Sequence, residues 1–343
     1  MRARDDYLTG VLDALARNAS TIQPHLDRAF FQRKRPVDIF AISDVHVDVP
    51  ENARCVRERV DDILRRRRLD GADDDGRFRV VVVAGDAGTS ERSVETCVEE
   101  FSRAFDRVCY LPAGNHELWC AGRGDEEVEE EKDDASTSYP RDSLGKMWRL
   151  IDLCTELGAA CAPIRIGGAR VVPTYGWYDD AFASDPARRG VYSPLEARFD
   201  MACRWPTFIN PPEDARNSRS PLIGDFMRDV NDGLYERFHQ TRGGGASTND
   251  DVNDVVVTYS HFVPRPELYR GYSNLINVMG STRIDAAVRK WRASTHVFGH
   301  SHLNVDRVVD GVRYVQHAMG YPHERWTSSG ASLEPKKIVS VSS

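Results

Sequence analysis

The chain has 343 residues, of which 41% are apolar and 29% charged, a balance typical of a globular protein and not of a disordered or fibrous one. Its formal net charge of −7 is the charge of one block, residues 125–134, which holds eight acidic residues and one lysine. The rest of the chain is formally neutral, so a nucleic-acid polymer is not the expected partner. No apolar run approaches the roughly 18 residues that a membrane span needs, which excludes a transmembrane helix.

The N-terminal residues and the cysteines both favour a cytoplasmic protein. Residues 1–36 have the spacing of an amphipathic helix and lack the apolar core of a secretory signal, so they are predicted to form an N-terminal helical extension. The seven cysteines are odd in number and include no close pair. This pattern is typical of reduced thiols and not of a disulfide framework.

Strands and helices alternate in the first third of the chain. Apolar runs predict strands at 37–43, 79–84 and 107–111, and helical spacing predicts helices at 54–69 and 90–105. A strand–helix–strand–helix–strand order indicates crossover connections, and therefore a sheet that begins with parallel strands.

The remaining predicted elements continue the same fold without an internal repeat or a clear domain boundary. In chain order they are an acidic flexible loop at 122–142, a helix at 143–157, a hairpin within 164–177, an irregular insertion at 182–221, a helix at 222–240, a flexible connector at 243–254, a strand at 255–260, a helix at 284–293, a strand at 295–298, and a hairpin that turns at Asp310-Gly311. We therefore expect residues 1–343 to form a single α/β domain with a mixed sheet, parallel first and antiparallel later.

Residue types that bind metals follow five of these strands directly. The five segments are Asp44-Val45-His46, Gly85-Asp86, Gly114-Asn115-His116-Glu117, His261, and Gly299-His300-Ser301-His302. Ligands at the carboxyl ends of successive buried strands can meet at one rim of a sheet. The spacing therefore predicts a single site built from distant parts of the chain.

A two-metal centre for phosphate-ester hydrolysis explains these residue types. Two cations about 3.5–4 Å apart can share a hydroxide nucleophile and neutralise charge on the transferred group, and a carboxylate must bridge them. Asp86 is the candidate for the bridge, while Asp44 and His46 lie two residues apart in extended chain and so project to the same side. Nitrogen and oxygen ligands without a thiolate favour manganese, iron or zinc.

In these motifs the chain resembles the calcineurin-like metallophosphoesterase superfamily, whose pattern runs D-x-H, G-D, G-N-H-[DE], H, G-H-x-H. The resemblance spans residues 44 to 302 and implies a four-layer α/β/β/α sandwich with two mixed sheets. It also implies roles for individual residues: Asp44, His46 and His302 at the first metal, Asn115, His261 and His300 at the second, Asp86 between them, and Asn115 and His116 toward the substrate. His116 would then act as the general acid.

Three flanking segments resemble a plant- and alga-type branch of the same superfamily: GWYDDAF at 176–182, DMACRWP at 200–206, and GVRYVQHAMGYPHER at 311–325. The chain departs from the serine/threonine protein phosphatase branch, which carries an Asp-Arg pair where this sequence has Thr89 and Ser90. That pair orients the catalytic histidine and grips phosphate, so other residues must do both here.

Several residues are candidates for the tasks of the missing pair. Asp48 or Glu117 could orient His116. The phosphate could be reached by Arg265, Arg283 or Arg325. Trp177 and Tyr178 could stack on a nucleobase or belong to the core.

The sequence thus predicts a dinuclear-metal hydrolase of phosphomonoester or phosphodiester bonds in a small-molecule or nucleotide substrate. Its expected mechanism is attack by a metal-bridging hydroxide, with His116 as the acid. Two alternatives stay open: a phosphoprotein phosphatase, which the missing Asp-Arg pair disfavours, and a catalytically silent scaffold, which the complete ligand set disfavours.

Overall fold

A computed structural model describes residues 2–32, 35–69, 75–120, 139–211, 217–240, 254–325 and 333–342. The predicted connector at 243–254 and the acidic loop at 122–142 lie outside the described residues, apart from residue 254 and residues 139–142. No helix within the described ranges is long and apolar enough to cross a membrane.

The first sheet has four strands in the order β10–β1–β2–β3. Strands β1 (Val37–Ile42), β2 (Phe78–Val83) and β3 (Arg107–Tyr110) are parallel, which confirms the predicted crossover topology. Strand β10 (Lys336–Val341) pairs antiparallel with β1 and was not predicted. The strand contains two lysines, one serine and three β-branched apolar residues, so its apolar run is too short to be a clear signal for sequence analysis.

The second sheet has six strands in the order β4–β5–β6–β7–β9–β8. Their bounds are Ile164–Ile166 for β4, Ala169–Pro173 for β5, Val255–Tyr259 for β6, Thr295–Phe298 for β7, Val305–Val309 for β8 and Val312–Gln316 for β9. The four central strands are parallel, and hairpins add the antiparallel edge strands β4 and β8. The predicted turn at Asp310-Gly311 is confirmed, and both of its residues have positive φ, as a two-residue hairpin turn requires.

Six α-helices are described: α1 (Arg2–Gln32), α2 (Pro50–Leu69), α3 (Glu91–Ser102), α4 (Ser143–Glu156), α5 (Pro221–Gln240) and α6 (Thr282–Lys290). Helix α1 packs against α4, α5 and β4, and its buried Asn18 hydrogen-bonds to the backbone of residues 159 and 161. The core consists of valine-rich strands that are buried on both faces, such as β2. The predicted α/β/β/α class with two mixed sheets is confirmed.

The predicted irregular insertion contains only short 3₁₀ turns in its described part, residues 182–211 and 217–221. It packs against residues 273–278, which lie in the connection between β6 and α6. There the Ser193 hydroxyl donates to the Asn274 carbonyl, and the Glu196 carboxylate accepts from the Asn277 backbone amide. Trp177 and Tyr178 are buried beneath it with 1% and 2% exposure, so these two side chains belong to the core.

The two sheets meet at the carboxyl ends of their parallel strands. The Met319 amide, just after β9, donates to the Ser43 carbonyl, just after β1, at 2.9 Å. On the other side of β1, the Asp44 amide donates to the Gly85 carbonyl after β2. These bonds tie strand ends of both sheets into one rim.

Candidate active site

All eight predicted site residues lie at this rim. The first sheet supplies Asp44, His46, Asp86, Asn115 and His116 from the ends of β1, β2 and β3, and the second supplies His261, His300 and His302 from the ends of β6 and β7. Five of them have a left-handed backbone, with φ of 53° at Asp44, 45° at His46, 56° at Asp86, 72° at His300 and 54° at His302. Such values are uncommon outside glycine and cluster at functional sites, because the surrounding structure must hold them.

The first group of ligand atoms comes from Asp44, His46 and His302, and all of them lie within 4.8 Å of one another. The Nε2 atoms of His46 and His302 are 3.2 Å apart, and His302 Nε2 lies 3.5 Å from Asp44 Oδ1. The His300 backbone amide donates to the same Asp44 oxygen at 2.8 Å and so fixes the carboxylate.

The second group comes from Asp86, His261 and His300. His261 Nε2 lies 3.4 Å from Asp86 Oδ1 and 3.2 Å from His300 Nδ1. The side-chain oxygen of Asn115 joins this group, since it lies 3.0 Å from both of these imidazole nitrogens.

Asp86 stands between the two groups. It belongs to the cluster with His261 and His300 and also to a cluster with His46 and His116. Its carboxylate is 2% exposed and also accepts a hydrogen bond from the His116 backbone amide at 3.1 Å. One carboxylate thus faces ligand atoms on both sides.

The imidazole tautomers fit metal binding. His261 donates from Nδ1 to the Ala84 carbonyl, His300 donates from Nε2 to the Val278 carbonyl, and His302 donates from Nδ1 to Glu324 at 2.7 Å. In the neutral form of each ring, which is the form that binds a metal, the other nitrogen carries the lone pair, and that nitrogen points into the cluster. Two such nitrogens 3.2 Å apart cannot hydrogen-bond each other without a proton, whereas a cation satisfies both.

The charges at the rim favour a cation. Burial lowers the pKa of His261, but the Asp86 carboxylate outweighs burial and raises that pKa to about 9. In the same way Asp44 and Glu324 outweigh burial at His302 and raise its pKa to about 10. Burial and the charge of His261 together lower the pKa of His300 to about 3, because they outweigh the opposing charges of Asp86 and Asp44. The field at the rim is therefore negative and attracts positive charge.

His116 lies at the more open side of the two groups. Its Nε2 is 3.9 Å from Asp86 Oδ2 and 3.5 Å from the Tyr321 hydroxyl. Its ring stacks on Trp119 with centroids 3.9 Å apart and a 29° interplanar angle. A ring held in this way can meet a substrate while its backbone stays fixed to Asp86.

Neither predicted partner of His116 hydrogen-bonds to it. Glu117 accepts from the Asp86 amide at 3.0 Å, the Ala87 amide at 2.7 Å and the Tyr110 hydroxyl at 2.5 Å, so it holds the turn that displays Asp86. Asp48 hydrogen-bonds to the Thr89 backbone instead. The contacts that the described residues make with the His116 ring include the stack on Trp119, the Tyr321 hydroxyl and Asp86 Oδ2.

The three candidate arginines also differ in surroundings. Arg265 forms ion pairs with Glu267, Asp285 and Asp310, and Arg283 forms one with Asp225 at 3.1 Å. Arg325 donates to Asn52 and the Gly320 carbonyl and lines a surface groove together with His302 and Glu324. Of the three, Arg325 is therefore the one beside the predicted ligands.

Sequence analysis missed three residues that contact the site. Tyr321 stacks on His46, with centroids 4.5 Å apart and an interplanar angle of 16°. Glu324 holds His302 and also accepts from the Tyr321 amide at 2.7 Å. Asp200, from the insertion, accepts from the Asn115 amide at 2.9 Å. The first two follow β9, whose carboxyl end reaches the same rim, and this position was the available signal.

Comparison with known proteins agrees with this geometry. The sequence model of the family described as calcineurin-like phosphoesterase matches residues 37–304, and the chain belongs to that family. A curated relative, the acyl-carrier-protein phosphodiesterase PptH of Mycobacterium tuberculosis, is 24% identical over 251 residues, 71% of this chain and 69% of the relative.

The crystal structure of phosphopantetheinyl hydrolase PptH from Mycobacterium tuberculosis matches with a TM-score of 0.59 at 18% identity, over 90% of this chain and 97% of that chain. At 18% identity this match supports a shared fold only. Family membership and the phosphodiesterase relative identify the chain as a phosphoric ester hydrolase of a metal-dependent family, which confirms the predicted class.

Proposed function

We propose that the protein is a dinuclear-metal hydrolase in which Asp86 bridges two transition-metal ions. The observation that carries this proposal is the place of Asp86 between two groups of ligand atoms, each of which combines residues of both sheets. Asp44, His46 and His302 would hold one ion, and Asn115, His261 and His300 the other. The donor set of imidazole nitrogens and amide or carboxylate oxygens suits manganese, iron or zinc.

The chain's own residues have distinct tasks in this proposal. Two bound ions would supply an activated water and neutralise charge on the phosphoryl group. Asp44 and Asp86 are kept ionised, since His302 and His261 lie beside them and lower the pKa of each carboxyl despite burial. His116, on the open side, would give its Nε2 proton to the leaving oxygen, and the stack on Trp119 would keep its ring aimed at that oxygen.

We propose that the protein cleaves a phosphodiester bond of a phosphorylated small-molecule group. The support is the curated relative, whose name gives a phosphodiesterase that acts on acyl carrier protein. A nucleotide is the weaker candidate, because Trp177 and Tyr178, the predicted stacking pair, are buried in the core. The groove lined by His302, Gly320, Glu324 and Arg325 could receive the part of the substrate beyond the scissile phosphate.

A phosphoprotein phosphatase is disfavoured by the segment after Asp86. At the place of the phosphatase Asp-Arg pair, the Ser90 side chain accepts from the Ser93 amide and caps helix α3. Ser90 therefore caps a helix, and the arginine that follows it, Arg92, is exposed and pairs with Glu95.

Three measurements test the proposal. Elemental analysis of the purified protein should give close to two transition-metal equivalents, and the protein with added manganese should hydrolyse bis-p-nitrophenyl phosphate faster than p-nitrophenyl phosphate. Release of phosphopantetheine from an acyl carrier protein tests the substrate class directly. Metal content near zero, together with no hydrolysis of either ester, would establish the catalytically silent scaffold instead.

A further inference from the structure

A carboxylate of the insertion reaches both halves of the candidate active site. Asp200 is 4% exposed, and its Oδ1 accepts two hydrogen bonds, from Asn115 Nδ2 at 2.9 Å and from Trp119 Nε1 at 2.7 Å. The Tyr178 hydroxyl lies near this carboxylate, and burial together with the carboxylate's charge raises the pKa of that phenol. One buried acid thus contacts a predicted metal ligand and the ring beneath His116.

The bond to Asn115 fixes which way its carboxamide faces. A carboxylate only accepts hydrogen bonds, so the NH₂ group of Asn115 must point toward Asp200. The amide oxygen then points the other way, to 3.0 Å from His261 Nε2 and His300 Nδ1. A metal can bind only this oxygen of the amide, so Asp200 selects the rotamer that can act as a ligand.

The bond to Trp119 fixes the surface on which His116 rests. Asp200 holds the Trp119 indole at its Nε1. The backbone carbonyl of Trp119 accepts a hydrogen bond from the half-buried Lys146 ammonium at 2.5 Å. The indole ring lies 3.9 Å from that of His116. No Asp-Arg pair is present, and the held indole is one of the contacts that set the plane of the His116 imidazole, beside the Tyr321 hydroxyl and the His46 ring.

The local backbone shows that Asp200 is held in place at a cost. Its φ of 53° is in the left-handed region, and its carbonyl accepts from the Cys203 amide at 3.0 Å and the Ser218 hydroxyl at 2.8 Å. A strained backbone and a buried carboxylate both oppose folding. Such costs persist where a side chain must occupy one particular position.

We propose that Asp200 is a positioning residue, which turns the Asn115 oxygen toward the metal site and holds Trp119 beneath His116. Asp200 lies in the insertion, and it orients the Asn115 amide and the Trp119 indole in place of the missing Asp-Arg pair. The proposal rests on the dinuclear function proposed above, and it assigns to the segment DMACRWP a task in the reaction.

The first test compares two substitutions of Asp200 with a control. Asp200→Ala removes the acceptor, and loss of a group that orients a ligand typically weakens metal affinity or activity about 10–100-fold. Asp200→Asn keeps one oxygen for both donors, and Tyr178 can accept from the new NH₂, so we expect wild-type values within about threefold. Glu196→Gln, another buried acid of the insertion that bonds to Asn277, is the matched control and should equal wild type.

The readouts are chosen so that loss of stability alone cannot mimic the result. Manganese affinity is measured by titration against a competing chelator, and kcat and KM are measured at saturating manganese. Asp200→Ala should lower the manganese affinity and kcat and leave KM within about twofold, since Asp200 touches no substrate. A merely structural acid would change the melting temperature and leave both the affinity and kcat unchanged.

An exchange of the two side chains tests the contact itself and does not depend on the alanine variant. In Asn115→Asp alone, two carboxylates face each other, and we expect metal affinity to fall at least tenfold, about 1.4 kcal/mol. Adding Asp200→Asn turns an NH₂ group toward the introduced carboxylate, which restores one donor and one acceptor at this contact but gives up the bond from Trp119, because Trp119 and Asn115 share the same Oδ1 atom. The double variant should therefore recover most of the lost affinity.

Each outcome has one meaning. Equal manganese affinity and kcat in wild type and Asp200→Ala, or a double variant no better than Asn115→Asp, would overturn the positioning role. If Asp200→Ala does not fold, the exchange pair decides. A wild-type protein that binds none of manganese, iron or zinc would instead refute the dinuclear function, and this separates the two failures.

Discussion

Two buried histidines, four residues apart at strand β7, differ in the groups that surround their rings. His296 lies within the strand, and its ring nitrogens contact the Thr258 hydroxyl at 2.8 Å and the Ser260 hydroxyl at 3.0 Å. His300 lies just past the strand end, and its Nδ1 faces Asn115 and His261. Burial lowers the pKa of both histidines to about 3, so the pKa alone does not tell the structural residue from the candidate ligand.

The difference lies in what surrounds each ring nitrogen. Both nitrogens of His296 have hydroxyl partners, which can donate or accept, so one neutral tautomer satisfies the whole group. At the rim several strands end together, and ring nitrogens of four histidines lie 3.2–3.4 Å from one another or from the Asp86 carboxylate. The rim therefore calls for a cation, whereas the sheet interior does not.

Loss of the shared carboxylate should have the largest effect. Asp86→Ala removes the one group that faces both clusters, and bound metals contribute several kcal/mol to phosphoryl transfer. We expect kcat/KM to fall at least about 1,000-fold, with fewer than two metal equivalents bound. Steady-state kinetics with bis-p-nitrophenyl phosphate and elemental analysis measure both quantities.

A buried carboxylate away from the rim is the control for this effect. Asp38, in strand β1, is 3% exposed and pairs with Arg77 and Ser340. Asp38→Asn should lower the free energy of unfolding but keep two metal equivalents and the wild-type kcat/KM. If Asp86→Ala retains both metals, the bridging role is wrong.

Substitution of His116 should give the next largest effect and leave the metals in place. A general acid contributes typically 10²–10⁴-fold, so kcat of His116→Ala should fall by about this factor at unchanged metal content. Because the acid protonates the leaving oxygen, an ester with a good leaving group such as p-nitrophenol should lose less than an alkyl phosphodiester. A variant that hydrolyses both esters as fast as wild type would refute the acid role.

The predicted motifs all reached one rim because each followed a strand that sequence analysis could recognise. Strong runs of apolar residues predict β1, β2 and β6, and parallel pairing within each sheet brings strand ends together. The contacts that tune the site could not be predicted in this way. Asp200 arrives from an irregular insertion with no periodic pattern, and the choice between Glu117 and an aromatic stack at His116 depends on side-chain packing in three dimensions.

Tyr321 should contribute less than His116 and in two separable ways. Tyr321→Phe keeps the stack on His46 and removes the hydroxyl 3.5 Å from His116 Nε2. A hydrogen bond to a charged group is worth about 1.5–3 kcal/mol, so we expect kcat to fall about tenfold or somewhat more, with normal manganese affinity. Tyr321→Leu also removes the ring beside His46 and should weaken manganese binding. Equal kcat for wild type and Tyr321→Phe would show that the hydroxyl takes no part.

His296 should show the smallest effect on activity and a clear effect on stability. His296→Phe leaves the Thr258 hydroxyl without its partner, which costs about 1–3 kcal/mol in the free energy of unfolding, while kcat/KM should stay within about twofold. The folded protein keeps His296 neutral down to pH about 3, whereas the unfolded chain protonates near its ordinary pKa of about 6.5. Protonation thus stabilises the unfolded state, and this contribution lowers wild-type stability as the pH falls below about 6.5.

The phenylalanine variant lacks that contribution, so the stability advantage of wild type over His296→Phe should shrink as the pH falls. Urea unfolding of both proteins at pH 7.5 and pH 5, in the same manganese concentration, measures the advantage at each pH. An advantage that does not change with pH would mean that the folded protein also protonates His296. A large loss of kcat/KM would mean that the strand interior and the rim are coupled, and the contrast between the two histidines of β7 would no longer hold.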